Sequence, residues 1–147
     1  MTDPRRIPLV PLVLGLAGLV PFWVLALGLR LPGPAMPPPE LRALALAAYA
    51  AVIISFLGGI RWGLSMRDGD SGAGYVLSNV PPLVAWALVL VPDPWRLAAL
   101  GAVLLALGPM DLALVRSGAA PVWFGRLRLL LSTGAGVALL SAAVVVR

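Results

Sequence analysis

The chain has 147 residues, 61% of them hydrophobic and only 12% charged, and a mean hydropathy of +0.99. Soluble domains are about half apolar and about a quarter charged, so this composition excludes a soluble protein and leaves one integral-membrane domain over residues 1–147. Its net charge of +5 rests on eleven basic residues, all Arg, and there is no Cys and no His; disulfides, thiol nucleophiles, haem ligation by His or Cys and the commonest zinc ligands are excluded with them.

Five apolar runs follow in order. A short basic tail carries Arg5 and Arg6, and the first span, about 7–29, contains Pro8, Pro11 and Pro21, the last expected to kink it. This run is too long for the apolar core of a signal peptide, and no small-residue cleavage site follows, so a retained span is expected. Residues 30–40, RLPGPAMPPPE, hold too many prolines for a helix and read as a stiff connection. The second span, about 43–66, has one charge, Arg61, and a row of small residues at i+4: Ala47, Ala51, Ser55, Gly59 and Gly63. Where lipid replaces water, small residues let helices approach closely, so this row is expected to be the packing ridge of a central helix.

The loop RDGDSGAG offers Asp68 and Asp70, but the rest of a calcium-loop ligand series is missing and no metal site is expected. The third span, about 75–91, carries Ser78, Asn79, Pro81 and Pro82; the proline pair marks a first turn or a break buried in protein. Asp93 and Pro94 read as N-cap and first position of a helix, and the fourth span, about 97–115, holds Asp111 near its end. Pro121 reads as opening a helix, and Trp123, Phe124, Arg126 and Arg128 have the composition of a membrane interface, with Trp123, Arg126 and Arg128 as candidate headgroup contacts. The fifth span, about 127–146, begins with Ser132 and Thr133 inside it.

The fold expected is therefore an all-α polytopic bundle of five transmembrane helices. Arg5, Arg6, Arg67, Arg116, Arg126 and Arg128 fall on one side, against Arg30, Arg42, Arg96 and Arg147 on the other. That bias places the N-terminus in the cytoplasm and the C-terminus in the periplasm. The same topology puts Arg61, Asp111, Asn79, Ser78, Ser132 and Thr133 in one polar layer near the cytoplasmic face, with Trp62 beside it. An ionisable group inside a bilayer is a functional-site hypothesis by default, and Asp111 is the partner expected for Arg61. Such a pair either fixes helix packing or lines a site. The arginines are scattered at helix ends rather than along one stripe, so no nucleic acid is expected despite the high pI.

The segments YAAVIISFLGGIRWG (49–63), NVPPLVAW (79–86), Asp111, PVWF (121–124) and Leu127–Arg128 resemble the transmembrane protein 69 family, small bacterial and mitochondrial membrane proteins with a domain of unknown function. The resemblance runs from the second span to the fifth and implies a five-span inner-membrane protein; it implies no established activity and no catalytic residues, and no cofactor is expected from the residues themselves. The functional expectation is a non-enzymatic accessory subunit or assembly factor of a larger inner-membrane complex, in contact with membrane lipids and the helices of other subunits. Two alternatives stand beside it: a small transporter or channel component with an Arg/Asp polar site, and a lipid- or quinone-binding membrane protein.

Overall fold

In the computed structural model, residues 6–31, 33, 36–69 and 72–146 are described, the side chain of Asp68 excepted. Five helices make up the fold: α1 (Leu9–Arg30), α2 (Pro39–Asp68), α3 (Ala73–Val89), α4 (Trp95–Arg116) and α5 (Val122–Ala143). Of these, α1, α2, α4 and α5 are long and apolar enough to cross a membrane, while α3 is shorter at 17 residues. Among the described residues there is no strand. The acidic DGD loop expected to hold no metal lies largely outside the described residues, since Asp70 and the Asp68 side chain are not among them.

Two helices start well before the apolar runs expected for them, and proline explains both. At α2, Pro38 is the N-cap and Pro39 the first helical residue, followed by Glu40 in the first turn. Proline at this position lacks only an N–H that would have no partner anyway, and an acidic first turn suits the helix dipole. At α5, Pro121 in extended conformation starts the helix at Val122, so Arg126 lies inside it rather than before it and Arg128 falls in its second turn. The α2 C-terminus is closed by Gly69 at φ 66°, whose N–H reaches the Ser65 carbonyl; a left-handed cap of this kind favours glycine. Asp93 does not cap α4. Pro94 occupies that position, and the Asp93 carboxylate accepts from Nε of Arg96 at 3.0 Å and from its Nη2.

Two tightly packed pairs, α2 with α3 and α4 with α5, are joined by α1, which lies against both α2 and α5. Helix α2 touches every other helix and is the centre of the bundle. The core is built from α2 residues such as Leu46, Ala47, Ala50 and Ile54, with Phe22 of α1, Leu97, Leu100 and Leu104 of α4 and Leu139 of α5. Tyr49 ties α1 to α2: its hydroxyl donates to the Gly18 carbonyl at 3.0 Å, and its ring meets Phe22 edge-on at 4.9 Å.

The expected ridge on α2 is only partly used inside the bundle. Ala47 is buried and Ala51 half-buried, but Ser55, Gly59 and Gly63 are exposed, and a Cβ on either glycine would meet nothing within 4 Å. The cause is geometric: four residues turn a helix by about 400°, so an i+4 row drifts about 40° per step and leaves the buried face after two or three steps. Close packing lies elsewhere. Gly58 faces α3, where an added Cβ would collide with the Ser78 carbonyl oxygen and come within 3.0 Å of the Pro82 ring. Pro82 has no N–H to offer that carbonyl, so Gly58 packs against an oxygen that the proline leaves without its helical donor. Pro81 and Pro82 thus sit inside a continuous α3, covered by α2. Between α4 and α5, Gly101 and Gly136 face each other, each placed so that a Cβ would meet the other's carbonyl oxygen at 3.1–3.2 Å.

Candidate functional site

Near one end of the bundle three charged side chains from three helices converge. Asp111 of α4 is 4% exposed, and each of its carboxylate oxygens accepts from a different arginine. Arg61 Nη2 of α2 donates to Oδ1 at 2.6 Å, and Arg128 Nε of α5 donates to Oδ2 at 2.7 Å. Local packing brings these helices together at this level. A Cβ on Gly108, one turn before Asp111, would lie 3.0 Å from Ser132 Cβ, one turn after Arg128; only a glycine lets α4 come this close to α5.

Two guanidinium groups and one carboxylate leave the cluster with a net charge of +1. Arginine stays protonated even when buried, so the excess cannot be removed by losing a proton. The attraction of each arginine for Asp111 offsets part of its desolvation, and mutual repulsion of the two arginines works against it. Arg128 is the more enclosed of the two, with its side chain 7% exposed against 16% for Arg61. Its Nη2 is buried without a partner, and so is the hydroxyl oxygen of Ser132. Unpartnered buried polar atoms of this kind are rare in folded proteins.

Arg128 and Ser132 also form part of the wall of a cavity of about 380 Å³ between α1, α2 and α5. Gly15, Gly18, Ile53, Leu57 and Leu131 are among its apolar lining. Leu14 and Phe56 line it as well and are 67% and 63% exposed, so its mouth opens sideways between α1 and α2.

The polar layer expected from the sequence is realised in part. Arg61 and Asp111 meet, and Ser132 lies one turn from the cluster. Ser78 is buried but donates to its own helix, at the Tyr75 carbonyl, 2.7 Å away. Asn79 is exposed and donates to the same carbonyl at 2.8 Å, and Thr133 is exposed on the outer side of α5. Trp62 is also exposed, with its ring edge-on to Tyr75 at 5.0 Å. These last three residues do not join the cluster because each lies on the outer face of its helix, next to a residue that is buried (Ser78, Ser132) or half-buried (Arg61).

Among the expected headgroup contacts, Arg126 is exposed and Trp123 half-buried against the cavity, but Arg128 is turned inward onto Asp111. The sequence carried a signal for this. Gly125, Arg128, Ser132 and Gly136 recur at i+3 and i+4 and form the buried stripe of α5, so Arg128 shares a face with residues that pack while Arg126 does not.

Comparison with known proteins agrees with a membrane protein. The profile of the family described as "Protein of unknown function (DUF3429)" matches residues 7–144. Transmembrane protein 69 of Xenopus tropicalis is 38% identical over 132 residues, which cover 85% of this chain and 50% of that protein. The chain thus spans about half the length of this curated relative. No solved structure matches it. A match over almost the whole chain, together with this relative, makes the protein a member of the DUF3429 family and an integral membrane protein similar to transmembrane protein 69.

Proposed function

We propose that the protein is a non-enzymatic accessory subunit or assembly factor of a larger complex in the bacterial inner membrane, held there by contact between its α2 and a helix of another subunit. The observation that carries this reading is the outward face of α2. Ser55, Gly59 and Gly63 are exposed on the central helix, beside open space where a Cβ on either glycine meets nothing. The Ser55 hydroxyl already donates to the Ala51 carbonyl at 2.8 Å and so presents a small, satisfied surface. A G-x-x-x-G pair facing lipid is the pattern by which two helices reach close contact in a bilayer.

The non-enzymatic part is supported by residue chemistry. The chain has no Cys and no His, and both oxygens of the buried Asp111 are engaged by arginines, which leaves that carboxylate ill suited to take a proton from a substrate. The transporter alternative has less support, because Ser78 and Asn79 bond within their own helix. The proposed topology keeps the N-terminus in the cytoplasm.

Affinity purification of the full-length protein from its native membrane in mild detergent tests the reading. A discrete set of membrane subunits is expected with the natural sequence, and its loss is expected with Gly59→Leu and Gly63→Leu while the purified variants keep their helical content. A free monomer under every condition, or undiminished recovery of the same subunits with both leucines, would overturn it.

A further inference from the structure

We propose that the cavity between α1, α2 and α5 is a binding site for a single-chain amphiphile with a monoanionic head, of which a long-chain carboxylate is the simplest member. The head lies at Arg128 and Ser132, and the tail runs along the apolar wall toward the bilayer. This site is separate from the outward face of α2 on which the accessory role rests.

Charge is the first ground. Arg61, Asp111 and Arg128 sum to +1 in a place largely removed from water, and one negative charge beside Arg128 brings the cluster to neutrality. A dianion would overshoot, and a neutral head would leave the excess in place.

Hydrogen bonding is the second. Arg128 Nη2 and Ser132 Oγ are both buried without partners, on two residues that form part of the cavity wall. A carboxylate has two acceptor oxygens, which suits one guanidinium N–H and one hydroxyl donor. A serine hydroxyl turns about one bond, and binding requires the guanidinium to turn its unpartnered edge toward the wall that Arg128 itself forms.

Shape is the third. About 380 Å³ is near the small end of ligand pockets, which run from about 300 to about 1,000 Å³; it suits one chain rather than a two-tailed lipid. The wall from Ile53 to Ile60 of α2 is apolar apart from Ser55, which is not part of the lining. The mouth at Leu14 and Phe56 opens on the surface that meets acyl chains, so entry is lateral, from the membrane. The site therefore takes its ligand from the bilayer rather than from water.

The test uses the full-length protein in nanodiscs of zwitterionic lipid with a photoreactive palmitate that carries a diazirine in its tail. Label is expected on peptides around Gly15–Leu19, Ile53–Leu57 and Leu127–Leu131. Unlabelled palmitate should compete, whereas hexadecanol and a short-tailed quinone should compete at least about tenfold less well, as expected when a charge-assisted hydrogen bond is lost. Hexadecyl phosphate separates a carboxylate site from a general anion site; competition tenfold better than palmitate would overturn the monoanion assignment.

Arg128→Gln should reduce labelling at least about tenfold. It leaves Asp111 paired with Arg61, but if it fails to fold, Gly18→Leu decides. A Cβ at Gly18 meets only the Tyr49 hydroxyl, at 3.9 Å, so the leucine has room to enter the cavity, narrows it and leaves the charges untouched. Labelling spread evenly over the lipid-facing surface, equal competition by hexadecanol, or labelling unchanged in Gly18→Leu would each overturn the proposal.

Discussion

Three neighbouring glycines of α2 differ in what surrounds them, and the difference has measurable consequences. Gly58 is pressed against the Ser78 carbonyl and Pro82, whereas Gly59 and Gly63 face open space. Gly58→Ala is expected to destabilise the folded protein by about 1–3 kcal/mol, the usual range for overpacking. Gly59→Ala and Gly63→Ala should instead stabilise it by about 0.4–1 kcal/mol each, through the reduced entropy of the unfolded chain. Unfolding by titration with a denaturing detergent distinguishes the two outcomes. A tyrosine gives a third residue-level expectation: Tyr49→Phe removes the hydrogen bond to the Gly18 carbonyl and should lower stability by about 1 kcal/mol in the same assay.

Residue by residue, what the sequence revealed depended on whether the information was local. Arg61 and Asp111 stood out because a charge in an apolar run is conspicuous by itself. Arg128 did not, because Trp123, Phe124 and Arg126 around it have the composition of an interface, and only the spacing of Gly125, Ser132 and Gly136 reveals its inward face. The unpartnered atoms of Arg128 and Ser132 depend on how three helices meet, which no local pattern contains.

Among the elements, the number and order of helices were legible because each apolar run is long enough to satisfy its own backbone in lipid. Their ends were less so. Hydropathy places the start of the fifth span at about Leu127, while the helix begins at Val122, at the proline the sequence marks as opening a helix. The tightest packing, between α4 and α5, was missed: Gly101 and Gly136 lie in different spans, and their meeting is a tertiary fact. Gly101→Leu or Gly136→Leu is expected to separate the two helices. Because Asp111 and Arg128 lie on this same pair, each variant should also weaken the ion cluster. A thermal melt followed by circular dichroism should show a lower midpoint for both than for Gly59→Leu.

At the scale of the molecule, the bundle encloses one acidic group between two basic ones, and α2, α4 and α5 are joined through it. The three residues are not equivalent. Loss of Arg61 or Arg128 leaves a neutral pair, and loss of the Asp111 charge leaves two arginines facing each other without a counter-charge. Asp111→Asn is therefore expected to be the most damaging single change, by about 3–5 kcal/mol, as when one partner of a buried pair is removed. Arg128→Gln should be intermediate and Arg61→Gln the mildest, in the order of their enclosure.

The most direct measurement is a double-mutant cycle on Asp111→Asn, Arg61→Gln and Arg128→Gln, read as unfolding free energies in one detergent and lipid mixture. Shared pairing predicts that Asp111→Asn combined with either arginine substitution loses less than the sum of its two singles, with couplings of about 0.5–3 kcal/mol on both legs. Additive losses on either leg would contradict the account, because that arginine would then not be held by Asp111.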